Sequence, residues 1–291
     1  MKRDSITIGG TKVGEGQSCY LVAEIGINHN GDLELAKKLV DRAVEAGFHA
    51  VKFQKRTVDV VYSKAELERP RESPFGTTNG QLKYGLEFGE QQFNSIDAYC
   101  REKKIQWFAS PWDEASVDFL ERYKPVCYKI ASASLTDDGL LRHMKAKKRP
   151  LILSTGMSTL AQIDHAVEVL RGAELMLLHT TSTYPSRDED LNLACINTLR
   201  DRYQLPIGYS GHETGVMPSV MAVVGYGAVL VERHITLNRA MWGSDHAASL
   251  EPRGMELLAE YIAQWRKIRG DGTKRVLDAE IEIQKKLRRV G

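Results

Sequence analysis

Residues 20–54 read YLVAEIGINHNGDLELAKKLVDRAVEAGFHAVKFQ. Tyr20–Ile25 is an apolar run broken only by Glu24 near its end. A strand covered on both faces reads this way, whereas a half-exposed strand alternates apolar and polar residues. Between Asp32 and Gly47, Leu35, Leu39, Ala43 and Ala46 recur three and four residues apart, which is the stripe of an amphipathic helix, and Gly47 is suited to end it. Ala50–Phe53 (AVKF) is then a second apolar strand with one charged intruder, Lys52. Strand, helix and strand in this order make a crossover unit, and such units build parallel sheets.

Working outward, the unit recurs. Further strands are expected at Ile105–Ala109, Val126–Ile130, Leu151–Ser154, Leu175–His179, Pro206–Tyr209 and Ala228–Glu232. Helical patterns occupy Glu90–Lys103, Glu114–Arg122, Leu160–Leu170 and Gly254–Ile268. Eight strand-then-helix units predict a (β/α)8 TIM barrel. The alternative, an open doubly wound sheet, wants a GxGxxG turn after the first strand, and none stands there. Ahead of the barrel, Ser5–Val13 alternates around Gly9-Gly10 and predicts an N-terminal β-hairpin over about residues 1–18, left as a plug or an edge. Residues 55–89 form a connection too long for an ordinary βα loop and read as a lid or substrate wall on the active face. About 270–291 is a charged tail with helical character, and 1–291 is expected to be one domain.

Composition excludes several classes. Of 291 residues, 42% are apolar and 27% charged, an ordinary globular balance. Lys and Arg total 40 against 38 acidic residues, so no electrostatic footprint for nucleic acid or an anionic membrane is present. No run approaches the ~18 apolar residues of a membrane span, and Met-Lys-Arg-Asp-Ser is not followed by the apolar core of a signal peptide. Cys19, Cys100, Cys127 and Cys195 form no CxxC, and most sit in apolar or helical contexts that favour buried thiols. A reducing cytoplasm is the expected location.

In a barrel the carboxyl ends of the strands converge on one mouth. Those ends carry Glu24, Lys52 with Gln54, Ser110, Lys129 with Ser132, Ser154 with Thr155, His179 with Thr181, Ser210 with His212, and Glu232 with His234. Lys52 and Lys129 lie inside Val-Lys-Phe and Tyr-Lys-Ile, so each buried ammonium needs a partner. With the serines they would cradle phosphate and carboxylate groups; ion pairs with Glu24 and Glu232 are the competing arrangement. His212 and His234 end neighbouring strands and suit a borderline divalent metal with oxygen co-ligands, although a strand-end histidine is often a satisfied core residue. His29 and His246 are read as exposed loop residues beside the mouth, and His49, His143 and His165 as surface residues. Lys145–Arg149 reads as a solvated helix end, and Ser154–Ser158 as a glycine turn able to receive an anion.

The ordered segments AEIGINHNG (23–31), VKFQ (51–54), YKIAS (128–132), LSTGM (153–157), YSGH (209–212), ERHITL (232–237) and DHAASLEP (245–252) resemble the sialic acid synthase (N-acetylneuraminate synthase) family over nearly the whole chain. The resemblance implies a metal-dependent condensation of phosphoenolpyruvate with a sugar aldehyde, giving a 2-keto-3-deoxy sugar acid and phosphate. It implies a divalent metal, Mn2+ foremost with Mg2+, Co2+ or Zn2+ as alternatives, on His212 and His234. It implies catalytic roles for Glu24, Lys52, Lys129, His212 and His234. Phosphoenolpyruvate would lie among Lys52, Lys129, Ser132, Ser154 and Ser210, with Ser110 beside it, and the sugar near Tyr184 and Asp245, with Gln54 a further substrate-binding residue. A homodimer with small-molecule substrates, and no nucleic acid or membrane partner, is expected.

The departures concern the sugar half. Family members usually carry a C-terminal antifreeze-like domain, and the expectation here is a barrel without it. Ser132-Ala133-Ser134 stands where Ser-Gly-Glu is frequent, Ser182 where Asn is common, and Gly211 where Asp is common. They point to N-acetylmannosamine being replaced by a related hexosamine, its phosphate or a modified sugar. Two other readings stay open: a Schiff-base pyruvate aldolase using Lys129 or Lys52, and a non-catalytic sugar-acid binding barrel.

Overall fold

The computed structural model describes residues 4–290. Eight parallel strands, β1 (Tyr20–Gly26), β2 (Ala50–Lys55), β3 (Gln106–Pro111), β4 (Tyr128–Ile130), β5 (Leu151–Ser154), β6 (Leu175–Thr180), β7 (Ile207–Gly211) and β8 (Leu230–His234), form one sheet. The ladder runs β3-β2-β1-β8-β7-β6-β5-β4, so first and last strands pair and the sheet curls into a barrel. Helices α1 (Leu33–Glu45), α2 (Glu90–Lys103), α3 (Glu114–Glu121), α4 (Asp138–Ala146), α5 (Leu160–Val169), α6 (Cys195–Tyr203), α7 (Met217–Val224) and α8 (Pro252–Ile268) follow the strands in turn.

Local chemistry fixes the boundaries. Asp32 caps α1 by accepting from the Glu34 and Leu35 amides, and Gly47, at φ +78°, takes the left-handed turn that follows. Thr159 and Gln162 form a capping box at the start of α5. Helices α6 and α7 lie where no helix was marked from sequence, and of α4 only the carboxyl end was. In α6 only Ile196 and Leu199 are buried, too sparse a stripe to stand out. In α7, MPSVMAVV is apolar on every side and hides its period.

Successive strand residues face alternately into the barrel and out to the helices. The outer layer packs Leu21, Val51, Leu153, Leu177 and Val231 against helical residues such as Leu39, Ile96 and Leu258. The inner layer at the amino end joins Tyr20, Val22, Ala50, Phe108, Ile152, Met176 and Leu230 to Ile6, Ile8 and Val13. Those last three belong to the hairpin Ser5–Ile8/Thr11–Gly14, which is therefore a plug for the barrel floor rather than an edge. Residues 1–3 of the expected hairpin segment, and Gly291 of the tail, lie outside the described residues.

Residues 55–89 are an ordered excursion, not a bare loop: Val58–Val61 and Lys64–Glu68 are short helices, Pro70–Ser73 and Gly76–Thr78 a hairpin, and Asn79–Leu86 a capped helix. Its Phe75 meets Trp242 of the β8 loop edge-on at 6.4 Å. In the tail, Asp278–Leu287 is helical and buries none of its residues. Among the described residues no helix is long and apolar enough to cross a membrane.

Candidate active site

Above the apolar floor, the next inward-facing residues are charged. Strand pairing sets Lys52 and His234 on either side of Glu24, and Ser210 beside Glu232. Lys52 Nζ lies 2.9 Å from Glu24 Oε2 and 3.2 Å from Glu232 Oε1, and donates to Ser110 Oγ at 3.0 Å. Lys129 Nζ donates to Ser154 Oγ at 2.6 Å and stands 3.8 Å from Glu232 Oε1. Ser210 donates to the same Glu232 oxygen at 3.3 Å. All of these side chains are buried. The ion-pair alternative to a free cationic cradle is thus the arrangement present: two ammonium groups and two carboxylates neutralise one another in a dry layer.

The sharing is unequal. Burial drives the Glu24 carboxyl upward, Lys52 resists, and Glu232 adds repulsion, so Glu24 is the carboxylate that takes a proton more readily. Burial opposes charge on Glu232 as well, but Lys129 and Lys52 together overcome it and hold that carboxyl low. Gln54 Nε2 donates to Glu24 Oε1 at 2.9 Å, and the Arg56 guanidinium, over the Trp112 ring at 4.4 Å, donates to the Gln54 oxygen. The Glu24 carboxyl is thereby fixed between a lysine and an amide.

His212 and His234 also converge, with ring centroids 5.5 Å apart. His212 Nδ1 donates to the Thr181 carbonyl at 2.6 Å, which fixes the tautomer and leaves Nε2 as a lone-pair donor. His234 Nδ1 is buried without a hydrogen-bond partner, and the nearest carboxylate, Asp245 Oδ2, is 3.9 Å away. Burial lowers both imidazoles, His212 to about 3 with His234 contributing, and His234 to about 4. Neutral rings with an idle nitrogen suit a divalent ion. Among the described residues, however, no three His, Cys, Asp or Glu side chains gather as a ligand set, so oxygens from water or substrate would complete the coordination. Tyr184 lies 4.1 Å from the His212 ring and 5.7 Å from His234, which with Asp245 puts both expected sugar contacts beside the imidazoles.

Ser132 sits slightly apart. Its Oγ accepts the Gly156 amide at 3.1 Å, so the glycine turn expected to hold an anion already has one donor engaged. His29 and His246 are buried rather than exposed: His29 stacks on Phe88 at 3.9 Å, and His246 pairs with Thr236 Oγ1 at 2.7 Å. His49 is half-buried, stacked on Tyr20 and accepting the Leu21 amide. His143 and His165 make surface pairs with Asp118 and Asp138. Arg149, read as solvated, grips Glu121 with two donors because Glu121 lies beneath it. A cleft of about 1110 Å³ lies at the other end of the barrel, between Glu15–Cys19, α6 and α8, and none of the charged mouth residues lines it. Sequence reasoning offered Glu232 only as a competing ion-pair partner for the lysines, and that is where the structure places it.

A nearly closed parallel barrel with a buried cluster of paired lysines and carboxylates and two neutral imidazoles at its carboxyl mouth defines an enzyme of the (β/α)8 class. More narrowly, the chain belongs to the NeuB family, whose model matches residues 39–274. It is 36% identical to the N,N'-diacetyllegionaminic acid synthase of Legionella pneumophila over 287 residues, covering 95% of this chain and 80% of that protein. It is likewise 36% identical to the human N-acetylneuraminate-9-phosphate synthase over 283 residues, 96% of this chain and 79% of the other. The structure of an N-acetylneuraminic acid synthetase from Leptospira borgpetersenii, solved with citrate, superposes with a TM-score of 0.85 at 31% identity, covering 100% of this chain and 99% of that one.

Proposed function

We propose that this chain condenses phosphoenolpyruvate with the aldehyde of an amino or modified sugar, releasing phosphate and forming a 2-keto-3-deoxy sugar acid. The observation that carries the proposal is the meeting of Glu24, Lys52, Lys129 and Glu232 with His212 and His234 in one mouth. The names of the relatives, an N,N'-diacetyllegionaminic acid synthase and an N-acetylneuraminate-9-phosphate synthase, agree with it.

The roles follow from placement. Lys52 and Lys129, with Ser154, Ser210 and Ser110 beside them, receive the phosphate and carboxylate of phosphoenolpyruvate by exchanging carboxylate partners for substrate oxygens. They need little reorganisation, because their ammonium groups are already held at the bottom of the mouth. C3 of phosphoenolpyruvate forms a bond to the aldehyde carbon as the C=O π pair moves onto the aldehyde oxygen, which takes a proton and ends as a hydroxyl, and C2 becomes electron-poor. Glu24, whose carboxyl is raised by burial and oriented by Gln54, takes a proton from the water that adds at C2, and phosphate departs by cleavage of the C2–O bond as the new C2 hydroxyl gives up its proton to become the ketone. Gln54, Tyr184 and Asp245 orient the sugar, and Ser132 positions the Gly156 turn near the anion. His212 and His234 would hold a divalent ion, Mn2+ foremost, which as a Lewis acid would draw charge from the aldehyde oxygen.

We further infer one domain throughout, since a single strand ladder spans it. A symmetric homodimer in the cytoplasm completes the proposal, the dimer because it is the commonest assembly and the compartment because the cysteines are free. The decisive experiment is phosphate release from phosphoenolpyruvate across a panel of aldehyde sugars with Mn2+. Release should require the sugar and stop on chelation. Turnover that survives chelation, or a pyruvate adduct trapped on a lysine by borohydride, would replace this reading with the aldolase.

A further inference from the structure

Glu213 follows His212, and Arg233 precedes His234, each by one residue. Arg233 lies on β8, where neighbouring residues point to opposite faces, and Glu213 lies two residues past the end of β7; both side chains turn away from the mouth to the space behind the barrel wall. There they meet. Arg233 Nη1 donates to Glu213 Oε1 at 2.9 Å, to the Gly215 carbonyl at 2.8 Å and to Ser219 Oγ at 2.9 Å, while Nη2 donates to the Glu213 carbonyl. The Glu213 carboxylate also accepts Ser219 Oγ at 2.7 Å and the Tyr209 hydroxyl at 2.8 Å. The side chains are 0% and 1% exposed.

A fully buried ion pair is a poor source of stability, because desolvation offsets its attraction and a well-packed apolar pair would serve as well. What it supplies is direction: a planar fork and a carboxylate accept only a narrow set of geometries. This pair joins the end of β7, the end of β8 and, through Ser219, the start of α7. The local sequence is shaped around it. A Cβ at Gly211 would lie 2.5 Å from Glu213 Oε2 and 2.6 Å from Tyr209 Cε1, so the carboxylate takes the space a side chain at 211 would need.

We propose that the Glu213–Arg233 pair is a positioning clamp that sets the spacing of the His212 and His234 imidazoles, and with it the affinity of their divalent ion. The proposal rests on the metal assignment made above. Groups that orient ligands from behind typically change metal affinity 10–100-fold.

The test is Mn2+ binding to the metal-free protein, read from the EPR signal of the free ion, for the wild type, H212A, R233K and the apolar double variant E213L/R233M. The double variant leaves no unpaired buried charge, and R233K keeps the charge without the fork. Both should retain the wild-type circular dichroism yet bind Mn2+ roughly 10–100-fold more weakly, with kcat lowered and KM for phosphoenolpyruvate unchanged. Wild-type affinity in either folded variant overturns the clamp. Wild-type affinity in H212A overturns the metal assignment itself and takes the clamp with it, whereas loss in H212A alone removes only the clamp.

Discussion

At the amino end of the strands Ile6, Ile8 and Val13 close the barrel with hydrocarbon, while at the carboxyl end Glu24, Lys52, Lys129 and Glu232 fill it with charge. The plug holds through non-directional burial, so its worth scales with the area it removes from water. The charged layer is held by matched partners and loses its balance when one is removed. The floor should therefore govern stability and the mouth turnover. Variants at the two ends can break that division.

The largest effect is expected at the mouth. Glu24→Gln should lower the rate of phosphate release roughly 10²–10⁴-fold while leaving circular dichroism unchanged; a variant near wild-type rate would remove Glu24 from the acid–base role. At the floor, Ile8→Ala should cost about 2–4 kcal/mol in urea unfolding, with kcat kept. A large drop in kcat without loss of stability would show the two ends to be coupled.

A third expectation concerns His29, just outside the charged layer. Burial, reinforced by Arg56, lowers its imidazole to about 3. In the unfolded chain it titrates near ~6.5, so below that pH the unfolded state binds the extra proton. Stability from this residue is complete above pH ~6.5 and falls as the pH drops toward the folded value, by about 2 kcal/mol between pH 7 and 5. His29→Asn should flatten that slope in unfolding curves, and an unchanged slope would place the acid sensitivity elsewhere. The smallest effect is in thiol reactivity. Burial pushes Cys19 and Cys100 up to about 12 and Cys127 well above its usual value, so half-buried Cys195 should react first with a disulfide reagent.

Most of the architecture was legible because each barrel strand carries its own pattern. Leu151–Ser154 and Glu90–Lys103 match the structure residue for residue, the first a continuous apolar run and the second an amphipathic stripe. The short helices of residues 55–89 were not legible, since elements of four or five residues show no period. In the mouth, residue types at strand ends sufficed to bring Glu24, Lys52, Lys129, His212 and His234 together. Which groups pair was not readable: that Glu232 touches both lysines, and that Arg233 turns outward to Glu213, depends on register and strand parity between segments distant in sequence. The exposure of His29 and His246 was misjudged for a related reason, because Phe88 and Thr236, which cover them, arrive from other parts of the chain.

The ladder joins β3 to β4 only through the other six strands: the two lie at its opposite ends, and β4 contributes just Tyr128–Ile130. A cylinder with one unstitched seam need not open everywhere at once. Amides flanking that seam should exchange with deuterium sooner than those of β1 and β8, which are laddered on both sides. Ser110 and Lys129 stand on its two lips, so the wall they line should widen more readily than the imidazole-bearing wall opposite.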